Sequence, residues 1–184
     1  MQTNSVSRDV IAHHEAGHAV AGLVLGVPFT EVRIVPGEDG KIGVPLKTNP
    51  WTGPRPASNP GEFTDEEWKD LSRSDEKWEA WKRRDQEKYA IFCLAGKAAQ
   101  VEYAGTARDE DAKADYSFVQ HWLPNYEQRL GGLEQAARTL VREHWVAVLA
   151  IGAALLERSV LTPAEVEGSF HQAMPEVRLV KAQL

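Results

Sequence analysis

Thiols are almost missing from this chain. It holds one cysteine in 184 residues, so no internal disulfide can staple it. Cys93 lies in the apolar stretch Ile91-Phe92-Cys93-Leu94-Ala95, where a small core residue is expected. Positive charge is also short. Lys and Arg number 21 against 27 Asp and Glu, a formal net charge of -6. That balance argues against a surface built for nucleic acid, and no nucleic-acid partner is expected. Long apolar runs are absent too. The longest, Trp145 to Leu156, has twelve residues and is too short to cross a bilayer. The first residues are polar, and the first apolar stretch is broken by His, Glu and His. No signal peptide and no membrane segment are therefore expected, and the default location is cytoplasmic. What remains is 42% hydrophobic and 26% charged, an ordinary globular composition. The length is enough for one domain with a sizeable core.

Against that plain background stands His14-Glu15-Ala16-Gly17-His18. It is an HExxH pentapeptide inside a segment that reads as helix. Histidines four apart lie on one helical face, a turn above each other. Both imidazoles can then reach a single zinc ion. The glutamate between them is placed to take a proton from a water at the metal. The competing reading is a helix that happens to carry two histidines. The flanks count against it: Val10-Ile11-Ala12 before and Ala19 to Leu25 after are apolar, as a buried catalytic helix requires. Small Ala16 and Gly17 allow another segment or a substrate to come close.

The rest of the chain reads as mostly helical. Residues 8 to 25 form a first helix, ended by Gly26 and Pro28. Phe29 to Pro36 alternates as a short strand, and Lys41 to Leu46 returns as a second. Asn49 to Gly61, with four prolines, is a loop. Thr64 to Glu67 is a capping box, with Phe63 and Trp68 as a hydrophobic staple. Trp68, Trp78 and Trp81 mark the apolar side of a charged amphipathic segment and are expected to pack onto the domain. A helix runs from about Asp75 to Ala104, stopped by Gly105. Ala107 to Ala114 is an acidic loop, and Asp115 to Leu123 a helix stopped by Pro124. Leu133 to Leu156 is one long helix or two, with Gly152 as the weak point. Thr162-Pro163-Ala164-Glu165 opens a last helix that ends near Ala173. The fold class is therefore mainly α (α+β), with a small sheet near residues 30–46.

A catalytic zinc needs a third protein ligand and an open position for water. His13 points about 100° away from His14 on the helix. His121, His144 and His171 have no companion pattern. The acidic residues Asp109, Glu110, Asp111 and Asp115 form the best reservoir. The first three read as a solvated loop. Asp115 differs, because it opens a helix carrying Phe118, Val119 and Trp122 and is held at the edge of the core.

Ile11-Ala12-His13-His14-Glu15-Ala16-Gly17-His18-Ala19-Val20 resembles the zinc helix of the FtsH-type metallopeptidases. Val32-Arg33-Ile34-Val35-Pro36 is similar to the strand after the zinc helix in that family. Leu94-Ala95-Gly96-Lys97-Ala98-Ala99 resembles the family's Gly-Gly-Arg-Ala-Ala-Glu helix. Ala114-Asp115-Tyr116 falls where the family has an Asn-Asp-aliphatic step, and Leu149 to Leu161 resembles its penultimate helix. The resemblance implies His14, His18 and Asp115 as ligands of one zinc ion and Glu15 as catalytic base. It also implies a single peptidase domain over 1–184, with an inserted loop and helical segment at about 49–88.

There are departures. Gln100 and Val101 replace two glutamates of the family pattern, removing any electrostatic support they give. No Gly-x-x-x-x-Gly-Lys-Ser/Thr loop is present, so ATP-driven unfolding is not carried over. The expected function is a zinc-dependent endopeptidase that cleaves unfolded or extended polypeptides without ATP. The scissile strand is expected to add to the sheet edge around Val32 to Val35. The alternative is a catalytically silent zinc-binding regulatory or interaction module. A homo-oligomer or a delivery partner is left open.

Overall fold

The computed structural model describes residues 6–34, 41–43, 59, 63–107, 112–123 and 125–179. Asp109, Glu110, Asp111 and nearly all of the Pro-rich segment lie outside these residues. Seven helices and three short strands are described: α1 (Arg8–Leu25), β1 (Glu31–Arg33), β2 (Lys41–Gly43), α2 (Asp65–Leu71), α3 (Asp75–Ala104), α4 (Lys113–Trp122), α5 (Tyr126–Glu143), α6 (Trp145–Arg158), β3 (Val160–Leu161) and α7 (Pro163–Ala173). The fold is mainly helical with a small antiparallel sheet, as the sequence suggested.

The expected caps set the boundaries of α1. The Ser7 hydroxyl accepts from the Val10 amide at its start, and Gly26 closes it in the left-handed region at φ 70°. From Ala12 to Gly22 every residue is buried. Such a helix is enclosed on all sides rather than amphipathic. Helices α3 and α6 supply most of the enclosure. The crossing with α3 is very close. A Cβ on Gly17 would stand 2.5 Å from the Ala95 carbonyl oxygen and 2.6 Å from Ala99 Cβ. Gly17 therefore lets another helix, α3, come against α1.

The sequence left open whether residues 133–156 are one helix or two. There are two, bent by 78°. The break falls at His144, not Gly152, and α5 begins at Tyr126 rather than Leu133. At His144 the backbone leaves the helical region (φ -115°, ψ 23°), and its Nδ1 donates to the Leu140 carbonyl at 2.9 Å. The bend lets Ala147, Val148, Ile151 and Leu155 of α6 be fully buried. Gly152 has a packing role instead, since a Cβ there would meet the His13 ring at 3.0 Å. No described helix is long and apolar enough by itself to cross a membrane.

The expected hairpin is present, and β3 is an addition to it. Helix α6 ends at Arg158, Ser159 turns the chain at φ 68°, and Val160–Leu161 pairs back onto β1. The strand order is β2-β1-β3, with Val32 opposite both Ile42 and Leu161. This corrects the expected substrate position. Strand β1 is central and both its edges are paired, so no peptide can add at Val32. Among the described residues, the outer strands of the sheet are β2 and β3. Helix α7 starts at the Thr162–Glu165 capping box, and its Phe170 is fully buried.

The capping box at Thr64 also forms. Phe63, Trp68, Trp78 and Trp81 cluster with ring centroids 4.8 to 6.2 Å apart. The tryptophans thus pack α2 against the first half of α3.

Candidate metal centre

The site begins with helix geometry. His14 and His18 lie one turn apart on α1, both buried, with ring centroids 4.8 Å apart. What α1 alone cannot fix is which nitrogen of each ring faces inward. Helix α3 fixes that. His18 Nδ1 donates to the Phe92 carbonyl at 2.8 Å, and His14 Nδ1 donates to Gln100 Oε1 at 3.2 Å. Between these two acceptors lies Gly96. Phe92, Gly96 and Gln100 are spaced by four, so they form one stripe along α3. The stripe runs antiparallel to the histidine pair, with Phe92 beside His18 and Gln100 beside His14. Gly96 keeps the middle clear. A Cβ there would lie 2.4 Å from His18 Nε2 and 2.6 Å from His14 Nε2.

Asp115 completes the group from α4. It lies in the first turn of that helix, where a carboxylate also suits the helix dipole. Ala112 gives α4 no side-chain cap. Instead the helix is tied laterally. Lys97 Nζ of α3 donates to the Tyr116 hydroxyl at 3.1 Å, and that hydroxyl donates to Glu134 of α5. Lys97 also stands over the Tyr116 ring, 4.6 Å from its centroid. Burial and the Glu134 carboxylate push the Tyr116 hydroxyl up to about 12, against the opposing effect of Lys97. Val119 and Leu123 bury the inner side of α4.

Three atoms then converge. His14 Nε2 and His18 Nε2 are 3.1 Å apart, and Asp115 Oδ2 is 3.3 Å from the first and 3.5 Å from the second. Ligands at 2.0–2.1 Å in a tetrahedral zinc site stand about 3.3–3.4 Å apart. The donor chemistry fits a cation as well. With both Nδ1 atoms donating, each ring in its neutral form turns a lone pair inward toward a carboxylate. One proton joins at most two of those three corners, whereas one metal ion joins all three. The group His14, His18 and Asp115 can hold a metal ion.

Electrostatics agree with a cation-seeking cluster. Burial opposes the imidazolium of His18, but the Asp115 carboxylate outweighs it and raises His18 to about 9, with Glu15 adding to the effect. Burial would raise the Asp115 carboxyl, but the charge of His18 and hydrogen bonds from both imidazoles hold it well below the usual carboxylate range. Glu15, next to His14 on α1, is buried, and its charge acts on His18. Asp115 is the most open of these three residues, with 22% of its side chain exposed.

The remaining candidates fall elsewhere. His13 is structural: Nδ1 donates to the Asp9 carbonyl at 2.7 Å and the ring stacks on Tyr103 at 3.7 Å. His121 is exposed, and His171 lies 3.7 Å from Glu167 on its own helix. Cys93 is a core residue whose thiol burial pushes up. Sequence reasoning missed the work of Gly96 and the Phe92 carbonyl, and noted Gln100 only as a departure. Their spacing by four was the available signal for the two side-chain positions. A backbone carbonyl leaves none. No known family model matches the chain, and no curated protein matches it.

Proposed function

We propose that this chain is a zinc-dependent endopeptidase acting on unfolded or extended polypeptides without ATP. The observation that carries the reading is the convergence of His14 Nε2, His18 Nε2 and Asp115 Oδ2 at 3.1–3.5 Å, with Glu15 buried beside them. Two imidazoles and one carboxylate suit zinc and leave a coordination position for water. A zinc ion held there would act as a Lewis acid and lower the pKa of a water from ~15.7 toward ~7. A purely structural site needs no base, whereas this cluster carries one.

Glu15 supplies the proton transfers. Its carboxylate takes a proton from the attacking water and passes it to the leaving amine nitrogen. His14 and His18 are held with Nδ1 on α3, so Glu15 acts in a fixed frame. Asp115 supplies the third ligand and the negative charge. The resemblance of the α1 motif to the FtsH-type peptidases supports the same roles. Among the described strands, an extended substrate would pair with the outer edge of β2 or β3, because β1 is enclosed.

The test is metal content and cleavage together. The purified chain is expected to bind about one zinc and to digest a disordered protein such as a casein, with loss on chelation and recovery on adding zinc. Asp115→Ala should release the metal, and Asp109→Ala and Asp111→Ala should retain it. Equal loss from all three variants, or no zinc in the wild type, would refute the reading.

A further inference from the structure

We infer that Gln100 is the positioning residue that makes His14 a metal ligand, and that its neutral amide sets how tightly the ion is held. This rests on the zinc-site reading above. The two histidines are anchored by different kinds of acceptor. His18 leans on the Phe92 carbonyl, which no side-chain change removes. His14 leans on Gln100 Oε1, a side chain 86 residues away in the sequence and itself buried.

An imidazole has two tautomers, and only the one with hydrogen on Nδ1 turns a lone pair at Nε2 toward His18 and Asp115. The Gln100 oxygen selects that tautomer by accepting the Nδ1 hydrogen. Without an acceptor, the hydrogen can sit on Nε2, which points it into the metal position. Outer-shell partners of this kind are worth about 10- to 100-fold in metal affinity. A carboxylate in the same place would accept more strongly and raise the basicity of Nε2 further. An amide polarises His14 less, and it adds no third negative charge beside Glu15 and Asp115.

The experiment pairs two variants with two readouts. In Gln100→Leu, the acceptor is lost while the volume is roughly kept. In Gln100→Glu, the acceptor stays and gains charge. Zinc affinity is measured by competition with a chromophoric chelator. The His14 tautomer is read from nitrogen and proton shifts of the imidazole in metal-free protein. Wild type and Gln100→Glu should show hydrogen on Nδ1, and Gln100→Leu a mixture. Zinc affinity should fall about 10- to 100-fold in Gln100→Leu and rise in Gln100→Glu. Unchanged affinity in Gln100→Leu, or an unchanged tautomer, overturns the inference. Absence of zinc binding in the wild type refutes the metal-site reading instead. The tautomer measurement then still decides whether Gln100 orients His14.

Discussion

At the scale of single residues, a proton and a metal ion would compete for the same three atoms. His18 is raised from 6.5 to about 9. The stability contributed by its proton is full below pH 6.5 and is lost as pH rises through about 9. Asp115 is depressed below 3.8, so its contribution is present above pH 3.8 and is lost as pH falls through the lower folded value. Metal-free protein should therefore be most resistant to heat between pH 3.8 and 6.5 and should weaken toward pH 9. Zinc bound at this site would have to displace the His18 proton, so uptake near pH 7 should release about one proton per ion. Calorimetry in buffers of different ionisation enthalpy reads that number, and zinc binding with no proton release would contradict it. The pairing of His14 with His18 was legible in the sequence because their relation is local, fixed by 3.6 residues per turn. Asp115 was singled out by its place at the head of an apolar helix and by resemblance. Gln100 and Gly96 acquire their roles only when α3 crosses α1, and no local pattern announces that contact.

Elements tell a similar story. Helices α1 and α3 begin and end, and α7 begins, where their caps say, because a cap satisfies backbone groups from within a few residues. The break at His144 lacked such punctuation. It is set by burial of α6 against α1, a tertiary demand, and Gly152 misled because its smallness answers to His13. Strand β3 is two residues long, too short for alternation to register. The crossing of α1 and α3 depends on missing side chains at Gly17 and Gly96. Gly96→Ala should therefore damage the site selectively. Its methyl would be forced to within 2.6 Å of both inward nitrogens, an overpacking of about 1–3 kcal/mol. Zinc affinity should drop at least about tenfold, the equivalent of 1.4 kcal/mol, while the helical far-ultraviolet signal persists. Zinc titration beside circular dichroism checks this, and unchanged affinity would show that Gly96 is not the floor of the site.

For the molecule as a whole, the central question is whether the cluster at the heart of the helical core performs hydrolysis. The 184 residues carry no phosphate-binding loop, so unfolding of substrate is not expected from this chain. On the proposed reading, a scissile bond would have to reach it already extended, in a disordered tail or an unfolded protein, and cleavage should not respond to ATP. The most direct measurement compares zinc-loaded wild type with zinc-loaded Glu15→Gln on one disordered protein, at matched zinc content. The amide preserves shape and cannot accept the proton. The expected result is cleavage by the wild type and none by Glu15→Gln, with zinc retained in both. Undiminished cleavage by the variant, or none by the zinc-loaded wild type, would contradict the account.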